Sequence, residues 1–380
     1  MTLRQDRLLR ARAAMTEQGF VGLMIMNHDD LRWFFGRDWA QPRAIIPWRG
    51  PPVFIAFQAE EPRLRELYGE SEVKIFSHVG EQIQDVVSRF RELVMTIGLP
   101  PGAEAPKVGM QMWFHTPAFL VDIFRKVNPM VKLVSSDPVM DPLRAIKEPE
   151  ELEAMTEAQR LAGLGMDRVR ELLRPGVTAH ELATEAQYTM MRAGASGTST
   201  PIHVNVGVDT CMIHGRISEA PVREGDPVVV DLTPTFRGYC ANLARTFVVG
   251  EPSDELSRLL ETYPRMIAAV REAMCPGACT RALDAAAREV CIEAGLEDSH
   301  IDGISHGIGL RFEERPASTI IRQHRSVPLE AGMTLTIGHT ILALPGIAGV
   351  RHEDVYRLTE DGPQPLSSYP VEPHVGLEES

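Results

Sequence analysis

The residues able to do chemistry in this 380-residue chain gather in its second half. An apolar run, Val228-Val-Val, ends on Asp231, and after a Gly238-Tyr239 turn comes Asn242. Downstream stand His306-Gly-Ile-Gly-Leu310 and Arg351-His-Glu353-Asp354. A buried acid needs a partner, because an unpaired charge is poorly tolerated away from water. Polar strand positions, a histidine and an acid on separate strands make a plausible pocket for metal binding or amide cleavage. A carboxylate at 242 would complete a pair able to bridge two metal ions. Asn242 offers an amide, a far weaker ligand with no charge. His214, in Cys211-Met-Ile-His214-Gly, follows the Val204 run and precedes Asp231, and is the candidate acid/base. Each of these residues alone has a plain structural use as a turn, cap or surface residue, and only their combination points to a site.

Two domains, residues 1–143 and 144–380, are expected to position them. All four Trp (Trp33, Trp39, Trp48, Trp113) lie in the first part. There, β-like runs (Val21–Met26, Val53–Phe57, Val73–Phe76, Val108–Met110) alternate with helix-like runs (Thr2–Glu17, Gly80–Met95, Thr116–Lys126), the pattern of an α/β layer domain. Asp137-Pro-Val-Met-Asp-Pro-Leu-Arg144 reads as a proline-spaced connector. A helix from Pro149 then runs to an Arg174-Pro175-Gly176 stop, and Thr178-Ala-His-Glu181 reads as a capping box for the next. Further helices are expected over Asp254–Met274 and Thr280–Ala294. Strands are expected around Val204 and over Val228–Asp231, Thr246–Val249, Thr334–Leu342 and Asp354–Leu358. Helix-helix-strands repeated twice hints at a duplicated half, an α+β domain with helices over a curved antiparallel sheet.

A formal charge of −13 argues against a nucleic-acid partner. No apolar run is long enough for a membrane span, and the basic N-terminus lacks the apolar core of a signal peptide. Five Cys, an odd number in a long chain, fit reduced thiols in a cytoplasm. Cys275-Pro-Gly-Ala-Cys279 has no second pair at zinc spacing and reads as a loop.

Along its length the chain resembles the creatinase, aminopeptidase P and prolidase family. The likeness runs from Asn27…Leu31-Arg-Trp-Phe-Phe-Gly36, through Arg144-Ala-Ile-Lys147, to Thr359-Glu-Asp-Gly362. The resemblance implies the family's "pita-bread" catalytic domain and a homodimer. In the family's metallopeptidases two Asp, one His and two Glu bind two divalent ions. The matching positions are Asp231, Asn242, His306, one of Gly338 or His339, and Glu353. The second Asp is therefore Asn242. Gly332-Met-Thr-Leu-Thr-Ile-Gly338-His339 puts either glycine or imidazole where a Glu is expected, according to the direction of alignment. In His306-Gly-Ile-Gly-Leu-Arg-Phe-Glu313-Glu314 the family's substrate-facing His is replaced by Glu313, while His214 matches the other substrate-facing His.

Two divalent ions held close together need several carboxylates, and only Asp231 and Glu353 remain. The expectation is no metal, or one ion of manganese, zinc or iron on Asp231, His306, Glu353 and His339, but not a two-metal centre. Three readings stand. The first is a creatinase-type hydrolase of a C–N bond in a small polar or cationic substrate, with His214 as acid/base, Glu313 and Glu353 holding substrate or water, and Arg351 at the substrate. The second is an Xaa-Pro dipeptidase or aminopeptidase with a degenerate metal site. The third is a non-catalytic binding module that kept the fold.

Overall fold

The structure, a computed structural model, describes residues 4–37, 39, 43–68, 71–76, 88, 92, 94–112, 116–215, 217–315, 322–372 and 374–375. Most of the expected 80–95 helix, and Trp113, lie outside the described residues. The chain divides into two compact units, Met1–Leu143 and Arg144–Ser380. No helix among the described residues is long and apolar enough to cross a membrane.

The first unit is built on a mixed sheet. Its strands are β1 Phe20–Ile25, β2 Ala44–Pro47, β3 Val53–Phe57, β4 Glu72–Phe76, β5 Lys107–Met110 and β6 Lys132–Ser135, in the spatial order β4-β3-β2-β1-β5-β6. Helices α1 Gln5–Gln18, α2 His28–Phe35, α3 Glu61–Tyr68 and α4 Ala118–Val127 accompany it. The Asn27…Gly36 motif has a local reason. The Asn27 side chain caps α2 by accepting from the Asp30 N–H at 2.7 Å, and Gly36 ends it with a positive φ of 67°.

The Asp137–Arg144 stretch is not the connector its prolines suggest. It is a helix, α5 Asp137–Ala145, with Pro142 inside it. Pro138 falls in the first turn, where a missing N–H is harmless. The N–H groups of Val139 and Met140 both donate to the Ser136 carbonyl, and both side chains are buried. That burial outweighs the one hydrogen bond Pro142 forgoes.

The second unit repeats a pair of helices over strands. Helices α6 Pro149–Leu172 and α7 Ala179–Arg192 come first. The Thr178 capping box forms: its hydroxyl accepts from the Glu181 N–H at 3.2 Å, and its own N–H donates to the Glu181 carboxylate at 2.9 Å. Strands β7 Gly197–Thr198, β8 His203–Val206, β9 Pro227–Leu232, β10 Pro234–Phe236, β11 Tyr239–Cys240 and β12 Leu243–Val249 follow. Then come α8 Asp254–Ala273 and α9 Thr280–Glu293, and strands β13 Thr334–Ile337, β14 Leu342–Leu344, β15 Ala348–Val350, β16 Asp354–Thr359, β17 Gly362–Pro365 and β18 His374–Val375. The expected single strand over Thr334–Leu342 is thus two, broken at Gly338.

Each half has its own core. Leu161, Met166 and Leu182 pack on Val204, Val230 and Phe247 in one, and Leu259, Met266 and Leu283 pack with Leu335, Val350 and Leu358 in the other. Strand β12 serves both, because alternate side chains of a strand face opposite ways. Phe247 and Val249 enter the first core, and Val248 enters the second. The halves are also stitched by backbone. Ala244 and Glu353 exchange N–H···O bonds of 3.0 Å each, and the Thr246 hydroxyl bonds both the N–H and the C=O of Arg351 at 2.9 Å. The chemical residues sit along this seam.

One buried ion cluster fixes the segment after His306. Glu314 receives Lys147 Nζ at 2.7 Å and Arg144 at 2.6 Å, all three groups being buried. The backbones of Gly307 and Glu314 pair, and a Cβ on Gly309 would meet the Glu314 carboxylate at 2.3 Å. Burial alone would push the Glu314 carboxyl up, but Lys147 and Arg144 hold it at about 2. A depressed carboxylate contributes stability above its unfolded value, and that contribution is lost as pH falls through the folded one. Glu314→Gln, which leaves two buried cations facing a neutral amide, is expected to destabilise the second unit by about 3–5 kcal/mol at pH 7. Urea unfolding followed by circular dichroism measures this. The gap between wild type and variant should narrow from about pH 4.3, where the unfolded chain's carboxylate takes up its proton, down to about 2, where the folded one does.

Candidate active site

Asp231 lies near the end of β9, one residue before the strand stops at Leu232. Its Oδ1 accepts from Asn242 Nδ2 at 3.0 Å, and its Oδ2 lies 3.1 Å from Arg351 Nη1. Only the amide's NH2 can usefully face a carboxylate, so the orientation of Asn242 follows. Asn242 is fully buried just before β12, whose pairing with β9 brings it back beside Asp231.

Glu353 enters from the other half, immediately before β16, and is fully buried. Its two oxygens face different groups. Oε2 pairs with Arg351 Nη2. Oε1 lies 3.5 Å from His306 Nε2 and 3.5 Å from His339 Nδ1. Neither His306 Nε2 nor Glu353 Oε1 has a hydrogen-bond partner among the described residues. His306 Nδ1 faces its neighbour's carbonyl, that of Gly307, at 2.9 Å, which leaves Nε2 on the side of Glu353.

The two positions that alignment left open differ in their surroundings. A Cβ on Gly338, with φ of 107°, would meet the His352 carbonyl at 1.8 Å, so only glycine fits there. The ring beside Glu353 and His306 is that of His339, 4.7 Å from the His306 ring between centroids. The Gly338 turn is held from both sides. Its N–H and that of His339 donate to the Ile304 carbonyl, and the Tyr263 hydroxyl from α8 donates to the carbonyls of Gly338 and Thr340.

Arg351, expected at the substrate, is engaged by protein groups. It is 1 % exposed, and its terminal nitrogens face Asp231, Glu353 and His339 Nδ1, the last at 3.3 Å. The guanidinium is a fixed positive charge between the two remaining carboxylates. His214 is exposed in the loop after β8, with its ring 5.6 Å from that of His339. Half-buried Glu313 contributes its negative charge to the surroundings of both His214 and His306.

The sequence reading passed over His203, on β8 directly opposite Asp231 in the β8–β9 register. Its Nδ1 is 3.8 Å from Asp231 Oδ2, and its ring lies 6.2 Å from that of His214. A polar residue opening an apolar strand was the available signal. Phe312, its ring 5.1 Å from that of His306, was missed as well, as was Tyr263.

The electrostatics sort these groups. Burial pushes Asp231 up to about 6, against the pull of Arg351. Burial opposes ionisation of Glu353 too, but Arg351 and His339 hold that carboxyl well below the usual range. Burial takes His203 and His339 down to about 4. It lowers His214 as well, aided by the Arg351 charge, so His214 is a neutral base near pH 7. His306 is raised: burial works against its charge, and Glu353 outweighs it.

The sequence profile of metallopeptidase family M24 matches residues 153–360, the helices and strands that carry all of these groups. The chain belongs to family M24. It is 31% identical over 248 residues to an Xaa-Pro dipeptidase of Pyrococcus furiosus, covering 65% of this chain and 70% of that one. It is 30% identical over 377 residues to a protein of Mycobacterium tuberculosis described as a probable dipeptidase, PepE, covering 96% and 95% of the two chains. The fold is that of a prolidase from Thermococcus sibiricus, with a TM-score of 0.86, 24% identity and coverage of 98% and 99%. This M24 chain is a hydrolase of the family's type, with the pita-bread architecture.

M24 peptidases use divalent metals, and this pocket fits that chemistry only in part. His306, His339 and Glu353 place one ligand atom each within 4.8 Å of one another, and unpartnered His306 Nε2 and Glu353 Oε1 suit one ion. Among the described residues this is the one group of three that could hold an ion; Asn242 brings no charge, and each Asp231 oxygen faces one N–H donor.

Gly338→Ala tests how the pocket is aimed. Positive φ and the overlap with the His352 carbonyl together should cost more than about 2 kcal/mol. Urea unfolding followed by circular dichroism measures it. Gly346→Ala is the control for positive φ alone: at φ 75° a Cβ there meets nothing within 4 Å, and the change should cost about 1 kcal/mol.

Proposed function

We propose that this M24 hydrolase cleaves a C–N bond in a small polar or cationic substrate without a two-metal centre. The observation that carries the reading is the Arg351 guanidinium between Asp231 and Glu353, with the Asn242 amide on the remaining oxygen of Asp231. In a two-ion peptidase those carboxylate oxygens serve cations that acidify water and hold the substrate. Here N–H donors face them, the guanidinium already offsets part of their charge, and Asn242 and His339 add no carboxylate to answer a second ion.

His214 is the proposed acid/base: it is neutral, exposed to solvent and set beside the His339 ring. It takes a proton from the attacking water and returns it to the leaving nitrogen, two roles that one imidazole commonly combines in amide cleavage. Glu313 sets a negative charge near His214 and favours a cationic amino, amidine or guanidino group there. Glu353 stays ionised and orients the His306 and His339 rings. Asp231, Asn242, His306, His339 and Glu353, the positions matched to the family's metal set, here form a pocket with two carboxylates and one guanidinium, which leaves one negative charge for a cation to answer. Family likeness supports a homodimer, and the reduced-thiol composition a cytoplasmic setting.

A second reading has its own support. The identities to dipeptidases extend over nearly the whole chain, and His306, His339 and Glu353 suit a single ion. One ion there would polarise a carbonyl and acidify water, and an Xaa-Pro dipeptide would then be the substrate.

A substrate panel separates the two. Small cationic amides and amidines should be turned over, or should raise the thermal midpoint, while Ala-Pro and Gly-Pro should be left intact with added manganese. Robust metal-stimulated hydrolysis of Ala-Pro, abolished by Asp231→Ala, would establish the second reading instead. Under either, His214→Ala should lower kcat by about 10²–10⁴-fold with an unchanged unfolding midpoint, because the side chain stands in a solvent-exposed loop.

A further inference from the structure

We infer that His339 makes this pocket a nitrogen-rich site for one borderline-soft ion, zinc in preference to manganese, held by His306, His339 and Glu353. The inference rests on the reading above only in that the pocket is short of a two-ion centre. It does not depend on the substrate.

Three observations support it together. First, the donors converge. Among the described residues, His306, His339 and Glu353 are the one group of three His, Cys, Asp or Glu whose ligand atoms lie within 4.8 Å of one another. Glu353 Oε1 stands 3.5 Å from a nitrogen of each ring, at the outer limit of a hydrogen bond. His306 Nε2 and Glu353 Oε1 are buried with no hydrogen-bond partner among the described residues, a costly state that a cation between them relieves. Second, one segment holds both imidazoles in place. The Ile304 carbonyl accepts the N–H groups of Gly338 at 2.8 Å and His339 at 3.0 Å, and His306 follows Ile304 by two residues. That segment is fixed in turn to α9. The Asp284 carboxylate accepts the N–H groups of Gly303 at 2.7 Å and Ile304 at 2.9 Å, and Arg325 pairs with its other oxygen at 2.6 Å. The two rings meet edge to face, 4.7 Å between centroids and 89° between planes. Ligands held this way by their supports need little rearrangement to take an ion.

Third, the donor types choose the ion. Manganese favours carboxylate and carbonyl oxygens, whereas imidazole suits zinc. Two His and one Glu, with a position left open, is a ligand set that catalytic zinc accepts. A carboxylate at 339 would bring a hard oxygen and a second negative charge to the group. His339 brings a nitrogen instead, so the three side chains, as ligands, carry one negative charge between them, that of Glu353.

Zinc binds more tightly than manganese at most nitrogen and oxygen sites, so the informative quantity is the change in preference when one ligand is exchanged. The test is metal uptake by the full chain, read by equilibrium dialysis with elemental analysis, using zinc or manganese alone. Wild type should take up one zinc. His306→Ala and His339→Ala should each lower zinc affinity by about tenfold or more, and His339→Glu should lower the zinc-to-manganese affinity ratio by a similar factor. One equivalent of copper(II) gives a readout that a loss of stability would not imitate. Its electron paramagnetic resonance spectrum should show coupling to two imidazole nitrogens in wild type and to one in His339→Ala. Zinc affinity unchanged in His339→Ala would overturn the inference, as would a copper spectrum identical in the two proteins, an unchanged ratio in His339→Glu, or two zinc ions per wild-type chain. If His339→Glu does not fold, His339→Ala and the copper spectrum decide. Hydrolysis of Xaa-Pro dipeptides by a chain that shows this uptake pattern would overturn the proposed substrate class and leave the role of His339 standing. Turnover of cationic amides by a chain that takes up no zinc would do the reverse.

Discussion

A single buried guanidinium holds this active-site region together. Asp231 comes from one half of the second unit and Glu353 from the other, and Arg351 binds both. Two carboxylates facing each other across a dry seam would repel, and each would carry a large desolvation cost. With the guanidinium between them they become a cohesive contact. The seam's backbone bonds, Ala244 to Glu353 and Thr246 to Arg351, fix the distance at which that contact forms. The rings of His306, His339 and His214 then take their places around it. The cores on either side are ordinary helix-on-sheet packing, and β12, feeding both, keeps them in register.

Much of this was legible in the sequence, for identifiable reasons. The Thr178 capping box and the Arg174-Pro175-Gly176 helix stop follow local rules, and most of the elements expected within the described residues are present with ends moved by a few residues. The Asp137–Ala145 helix was not legible, because two prolines outweigh burial in any local reading, and the burial of Val139 and Met140 is a tertiary fact. The break at Gly338 is of the same kind. Nothing beside it in sequence announces that the His352 carbonyl will occupy the space of its side chain.

In the pocket the sequence names the residues and leaves their contacts unread. Arg351 was expected at the substrate. Its burial, and the fact that its nitrogens meet Asp231 and Glu353 at once, depend on strands far apart in the chain. His203 and Asp231 are likewise opposed only through the β8–β9 register. Glu314 next to Glu313 looks like one of a pair, yet the two diverge: one is locked to Lys147 and Arg144, and the other stands half-buried near His214 and His306. Membership of family M24 says where a catalytic centre should be. The side chains at 242, 313 and 339 are where its sequence departs from the family's pattern.

The distribution of aromatic residues has a practical consequence. Every tryptophan, Trp33, Trp39, Trp48 and Trp113, belongs to the first unit. Every tyrosine except Tyr68, that is Tyr188, Tyr239, Tyr263, Tyr356 and Tyr369, belongs to the second. The pocket's own unit therefore holds no indole, and emission originates in the first unit. Phenolic absorbance, with Tyr263 buried against the Gly338 turn, reports the pocket's unit far more than the other. The chain carries two optical channels, one for each unit. A substitution at the seam whose effect is confined to the second unit disturbs the phenolic channel alone.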